Sequence, residues 1–172
     1  MRVGLLSDTH GLVDPGLREL FAGCDLVLHA GDVGGREVMD LLGGIAPVRA
    51  VRGNNDLDTF GQGLPESVRE PLGPLEALVL HELWAPGRFS PLARRALREH
   101  PEIVVYGHSH RPAAEVHEGT LFLNPGSAGP RRFHLPRTAA VLEIRDRKAS
   151  YALHDLERNG LPRIGPPLRT AL

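Results

Sequence analysis

Three short apolar runs, VGLL from Val3, LVLHA from Leu26 and PVRAV from Pro47, each end abruptly in a polar cluster. Runs of this length that stay apolar without alternating suit strands buried on both faces, the pattern of βαβ units feeding a sheet. Helical patterns fill the gaps. Asp14-Pro15 offers an N-cap and a first helical residue, with Gly23 as the stop after LRELFAG. A second helix is expected from about Arg36 to Leu42, closed by Gly43-Gly44.

The pattern then changes. SVREPLGPLEALVL, within 66–80, carries Gly73-Pro74 between two strand-like arms and predicts a hairpin. A third helix is expected over about Ser90 to Glu99, with Ser90-Pro91 at its start, before the apolar run IVVY. AAEVHEG, TLFLNPGS, TAAVLEI and ASYALHDL follow at short spacing and read as a β-meander. The last stretch, about 157–172, is rich in Pro, Gly and Arg and reads as a loosely ordered tail or a lid over an edge. At 172 residues, a single domain over 1–172 is the expectation.

A formal net charge of −1 provides no global attraction to nucleic acid or to an anionic membrane. Any affinity for phosphate must come from a local site. The single cysteine, Cys24, rules out an intramolecular disulfide and suits a reducing compartment. The start of the chain is interrupted by Asp8 too early for a signal segment, and no apolar run approaches the ~18 residues of a membrane span. The expectation is a soluble, cytoplasmic protein.

The polar clusters carry metal-ligand chemistry. Asp8-Thr9-His10 sets a carboxylate and an imidazole two residues apart, so that alternation at the end of an extended segment sends both to one side, where they can grip a cation. Asp32 follows LVLHAG, where Gly31 permits close backbone approach, and its two oxygens can bridge two cations. Asn54 stands in RGNND, and His81 in LVLHE. His108-Ser109-His110 repeats the two-residue spacing after IVVYG, so its imidazoles can diverge toward neighbouring ions. In open α/β sheets, the crevice beyond the carboxyl ends of the strands is the usual ligand location, and these clusters project there.

The ordered set D-x-H, GD, GN-x-D, H and GHSH resembles the calcineurin-like metallophosphoesterase superfamily. LFLNPGSAGPRR after GHSHRP is similar to its small bacterial and archaeal phosphodiesterase branch, which also includes the eukaryotic retromer scaffold subunit. The resemblance runs from Val3 to about Ile144. It implies an α/β fold, a four-layer αββα sandwich with two mixed β-sheets and a dinuclear metal site at the strand ends. By motif, it implies that Asp8, His10 and His110 hold one metal, that Asn54, His81 and His108 hold the other, and that Asp32 bridges. The mixed imidazole, carboxylate and amide donors favour two divalent transition-metal ions, Mn first, with Fe, Zn, Co or Ni as alternatives.

The implied activity is hydrolysis of a small phosphodiester by a metal-bridging hydroxide. Many members carry a histidine at the position of Asn55. An amide can donate a hydrogen bond to phosphate but cannot deliver a proton near neutral pH. Good leaving groups are therefore expected. Asp56 either orients a neighbouring group or forms a turn. Asn124 and Ser127 of NPGS are candidates to approach substrate, and Arg131 and Arg132 either meet a second phosphate or are solvated. Glu82 replaces a glycine common in the family and should point away from His81 by strand alternation. A catalytically weak protein-interaction scaffold and a phosphomonoesterase are the alternatives. Leu83, Trp84 and Phe89 would form a pocket wall or a homodimer contact.

Overall fold

The first βαβ unit sets the frame. In the computed structural model, which describes residues 1–12, 14–85, 88–132, 134–157 and 168–171, β1 (Arg2–Leu6) lies parallel to β2 (Leu26–His29), and β2 to β3 (Val48–Ala50). β1 from Val3 onward and β2 are buried on both faces, whereas β3, at the sheet edge, exposes Arg49. α1 (Gly16–Leu20) and α2 (Arg36–Gly43) supply the crossovers, packing Leu17, Leu20, Val38 and Leu42 against Leu6 and Val27. Asp14 does not cap α1 from the position expected: Pro15 stands at the cap, and Asp14 Oδ1 accepts the Gly16 N–H at 2.8 Å.

A short helix that the sequence pattern did not announce, α3 (Thr59–Gln62), follows β3 and is capped by Asp58, which accepts the Gly61 N–H at 2.8 Å. The hairpin about Gly73-Pro74 forms as β4 (Ser67–Leu72) and β5 (Leu75–Leu80). Pro71 is tolerated because β4 is an edge strand. A two-stranded ribbon of β6 (Trp84–Ala85) and β7 (Arg88–Phe89) leads to α4 (Pro91–Leu97), whose cap Ser90 accepts the Ala93 N–H. The third helix is thus shorter than the pattern suggested.

β8 (Ile103–Val105) joins β5 in parallel. The four segments read as one meander are two hairpins in different sheets. β9 (Ala113–His117) and β10 (Thr120–Asn124) extend the sheet of β8, while β11 (Thr138–Arg145) and β12 (Lys148–Asp155) return to pair with β1. Local alternation is the same in both cases, so it cannot say which sheet a hairpin joins. The larger sheet has the order β13-β12-β11-β1-β2-β3 and the smaller β4-β5-β8-β10-β9. β13 (Leu168–Ala171) pairs with β12 within the segment read as a tail, of which 158–167 and 172 lie outside the described residues.

Both sheets are mixed, and three apolar clusters separate four layers. Val3, Leu5 and Leu28 meet Ala77, Val79, Val105 and Leu123 between the sheets. The α1–α2 layer covers one outer face, and α4 covers the other through Ala93 and Leu97 on Leu78, Leu80 and Val104. The α/β sandwich expected from the motifs is the fold observed. Among the described residues no helix is long and apolar enough to cross a membrane. The carboxyl ends of β1, β2, β3, β5 and β8 point the same way, and the polar clusters sit on them.

Candidate metal centre

The loops after β1 and β2 are laced together by backbone bonds that continue beyond the strands: Asp8 N–H to Gly31 O, His10 N–H to Asp32 O and Gly11 N–H to Val33 O, each 2.9 Å. Asp8 and His10 are not in extended backbone, as simple alternation would require. Their φ angles are 54° and 47°, and Asp32, His108 and His110 share the left-handed region at 54°, 69° and 56°. Non-glycine residues there carry strain of about 1–3 kcal/mol each, which the surrounding lacing holds in place.

Asp8 is fully buried. Its Oδ2 accepts the His108 N–H at 3.1 Å and lies 2.6 Å from Ser7 Oγ. Its Oδ1 has no hydrogen-bond donor, although His110 Nε2 is 3.2 Å away. His10 Nε2 lies 3.4 Å from His110 Nε2 and 3.9 Å from Asp32 Oδ2. A buried carboxylate oxygen without a donor, faced by two imidazole nitrogens, is the arrangement a cation satisfies.

Beside it, His81 Nδ1 is 2.7 Å from Ala30 O, a contact that puts a proton on Nδ1 and leaves Nε2 facing inward. That Nε2 is 3.0 Å from Asn54 Oδ1 and 3.5 Å from Asp32 Oδ2. His108 Nδ1 reaches the same Asn54 oxygen at 2.9 Å. Asp32 Oδ2 therefore stands between the two groups. The carboxylate and imidazole donors fall into two overlapping cation-sized clusters, Asp8/His10/His110 and Asp8/Asp32/His81. All seven ligand candidates are brought to one end of the sandwich, with Asn54 and His108 joined to the second cluster through the amide oxygen.

Glycine is required where this crowding is greatest. A Cβ on Gly31, which has φ 87°, would lie 2.6 Å from His81 Nδ1, and one on Gly53 would overlap Asp32 itself. Asp56 is buried and accepts three backbone N–H groups, Val33, Gly34 and Gly53, at 3.1, 2.9 and 2.8 Å. It ties the β2 and β3 loops together through backbone and also closes the local turn, its own N–H meeting Gly53 O at 3.4 Å.

Electrostatics follow from the same contacts. Burial raises the pKa of Asp32, but hydrogen bonds from His81 and Asn55 outweigh it and hold the carboxyl well below the usual range. Burial likewise opposes ionisation of Asp8, and His110, His81 and Ser7 reverse the balance. Burial lowers the pKa of His81, yet Asp32 and Asp8 bring it above the ordinary imidazole value. His10 is shifted down, first by burial, with the charge of Arg132 adding to it against Asp32.

Several candidates have other employment. Asn55 donates its side-chain amide to Asp32 Oδ2 at 2.6 Å and its backbone N–H to Oδ1 at 2.8 Å. Asn124 is fully buried, with its amide on Gly107 O and Ser109 Oγ and its oxygen accepting Gly126 N–H. Ser127 Oγ donates to Asp8 O and accepts the Gly129 N–H. Both brace the ligand loops. Arg131 pairs with Glu157 at 3.6 Å, so of the two arginines it is Arg132 whose charge acts on His10. Arg137, which the motifs did not single out, binds Gly129 O, Ala128 O and the Asp14 carboxylate.

Residues 1–147 match the calcineurin-like phosphoesterase superfamily domain. A probable metallophosphoesterase of Methanothermobacter thermautotrophicus is 29% identical over 168 residues, 94% of this chain and 95% of that protein. A conserved uncharacterized protein of Streptococcus pneumoniae, a predicted phosphoesterase, superposes with a TM-score of 0.78 at 29% identity, covering 98% and 97% of the two chains. Wild-type Vps29 of Entamoeba histolytica complexed with Zn²⁺ superposes with a TM-score of 0.80 at 24% identity, covering 98% and 99%. The last likeness is one of fold.

Proposed function

The chain belongs to the calcineurin-like phosphoesterase superfamily, and from that premise we propose that it is a metal-dependent phosphodiesterase acting on small phosphodiesters. The observation that carries this reading is the donor set itself: Asp8 Oδ1, buried without a hydrogen-bond donor, shares one end of the fold with Asp32, Asn54 and four imidazoles. Asp8, His10 and His110 would hold one divalent transition-metal ion, Mn²⁺ first among the candidates, and Asn54, His81 and His108 the other, with Asp32 between them. When bound, such ions would supply an activated water for attack on phosphorus and offset the charge on the phosphate oxygens.

The residues of the chain supply the rest. Asp32 stays ionised near neutrality because Asn55 and His81 hydrogen-bond to it. Ala30 O fixes a proton on His81 Nδ1, so the inward Nε2 is the atom that would meet an ion. Asn55 delivers no proton, so the departing oxygen leaves with its charge, which favours diesters of acidic alcohols.

The test is metal analysis of the protein coupled to hydrolysis of bis(4-nitrophenyl) phosphate and of 4-nitrophenyl phosphate, with Asp32→Ala as control. Bound ions and diester turnover lost in the variant are expected. Faster monoester turnover would make it a phosphomonoesterase, and equal activity in both proteins would exclude the two-ion site.

A second reading, a protein-interaction scaffold, has one observation in its favour. Trp84 is 54% exposed while stacked on Phe89 at 4.3 Å, an apolar surface of the kind partners cover, a second copy of this chain included. The complete donor set speaks for catalysis.

A further inference from the structure

His81 and Glu82 are consecutive, and their side chains separate as the chain leaves β5. The His81 ring turns in toward Ala30 O, and Glu82 turns out. Its exposed carboxylate has a neighbour. Glu82 Oε1 is 3.4 Å from Nε2 of His108, on the loop after β8, while the other nitrogen of that ring, Nδ1, faces Asn54 Oδ1 at 2.9 Å. The two ring nitrogens are thus assigned to different neighbours, one toward the donor cluster and one toward the carboxylate.

We propose that Glu82 is a positioning residue: it accepts the Nε2–H of His108 and so holds the ring with its Nδ1 lone pair turned into the second cation position. This rests on the two-cation reading above. An imidazole can offer Nδ1 to a cation only when its proton is on Nε2, and an acceptor there fixes both the tautomer and the ring's rotation. His81 has such an acceptor in Ala30 O. Among the described residues, Glu82 is the group that faces the corresponding nitrogen of His108.

The local backbone supports the role. Ser90, the cap of α4, donates its hydroxyl to Glu82 O at 2.7 Å and its N–H to Leu83 O at 2.9 Å, so the segment carrying Glu82 is tied to the helix. The His108 side is set by the His108 N–H on Asp8 Oδ2 and by a tight turn, Ser109 N–H to Gly107 O at 2.8 Å. At 3.4 Å the carboxylate contact is longer than a formed hydrogen bond, and a small rotation of a glutamate that is 48% exposed closes it. Solvent screening of so open a pair limits the effect to the lower end of the ~10–100-fold range for such partners. Glu82 also lines a cleft of about 550 Å³ with Glu66, Ser90, Pro91, Leu92 and Arg95, so a substrate arm lying there would touch it directly. The test must therefore be made without substrate.

The experiment is calorimetric titration of Zn²⁺ into the chelator-stripped full chain, for wild type, Glu82→Ala and Glu82→Gln, with thermal midpoints as the control for folding. Wild type is expected to take two ions. Glu82→Ala should bind one as wild type does and the other about 10-fold more weakly, and Glu82→Gln, whose amide oxygen still accepts the ring proton, should stay within about threefold of wild type. Equal isotherms for wild type and Glu82→Ala would overturn the proposal, as would a Glu82→Gln isotherm as weak as that of Glu82→Ala, which would make charge the cause. A wild-type chain that binds no second ion would instead remove the two-cation reading.

Discussion

Asn55 grips both oxygens of Asp32, with its backbone N–H on Oδ1 at 2.8 Å and its side-chain amide on Oδ2 at 2.6 Å. Asn55 is therefore spent on the carboxylate between the two donor clusters. Asn55→Ala removes one charge-assisted bond from a buried carboxylate, worth about 1.5–3 kcal/mol, and frees Asp32 to rotate. Diester turnover, read as kcat/KM at saturating Mn²⁺, is expected to fall about 10–100-fold with the fold intact. A variant as active as wild type would show that the backbone N–H alone holds Asp32.

With Asn55 so engaged, no protonated side chain at its position can meet the departing oxygen. Rates on a series of aryl phosphodiesters of graded leaving-group pKa should then fall steeply as the leaving group becomes more basic. The measurement is the slope of log kcat/KM against leaving-group pKa. A flat slope would mean that another acid completes the reaction.

The donor set was legible because each ligand follows an apolar run, and the end of a buried strand is where a polar side chain can face a crevice. What the pattern could not carry was contact across the fold. Glu82 and His108 are brought together by the parallel pairing of β5 and β8, and no local rule joins them. Asn124 and Ser127 had the right chemistry to meet substrate, but their polar atoms are taken up by loop backbone and Ser109, which only the folded loops decide. The two-residue spacing of Asp8 and His10 pointed to a shared site for an incomplete reason. The turns that carry them are left-handed, a conformation that sequence favours only weakly for Asp and His. α3 went unseen because four residues, TFGQ, show no helical period.

A buried imidazole gives a pH dependence with a defined sign. His29 is wholly inaccessible, and burial takes its pKa from 6.5 down to about 4, against the pull of Asp8 and Asp56. The unfolded chain therefore binds a proton that the folded chain refuses between those values. The contribution is complete above about pH 6.5 and is lost as pH falls toward 4, on the order of 3 kcal/mol. Urea unfolding in the presence of chelator at pH 7 and 4.5 should show wild type losing about 2–3 kcal/mol more than His29→Gln. Equal losses in the two proteins would remove the burial of a neutral imidazole as the cause.

Crowding at Asp32 gives a mutation that separates the site from the fold. Gly53→Ala puts a methyl group onto Asp32 Oδ1 and its backbone nitrogen, so the loop must move. Because Asp56 ties Gly53 to Val33 and Gly34, that movement spreads to the β2 loop. Stability is expected to fall by about 1–3 kcal/mol and diester turnover by more than 10-fold, by denaturant unfolding and steady-state rates. Wild-type turnover in the variant would mean that Asp32 is free to shift without cost.

Left-handed backbone at five of the seven donor residues is strain that the metal-free chain bears without return. An ion that binds only this arrangement stabilises it by mass action, about 2.7 kcal/mol per site at a hundred times the dissociation constant. For a chain of this size that corresponds to roughly 5–10 °C per site in the unfolding midpoint. Mn²⁺ should thus raise the midpoint of wild type, chelator should reverse the rise, and Asp32→Ala should show a much smaller one. Because all five residues bear on the same few ångströms, binding of the first ion holds the loops that the second requires, and the two transitions should run together in a titration followed by thermal shift. An unchanged midpoint with Mn²⁺, Zn²⁺ and Co²⁺ alike would mean that the strain is held by Asn55, Asp56 and the loop backbone alone and that the cluster binds none of them.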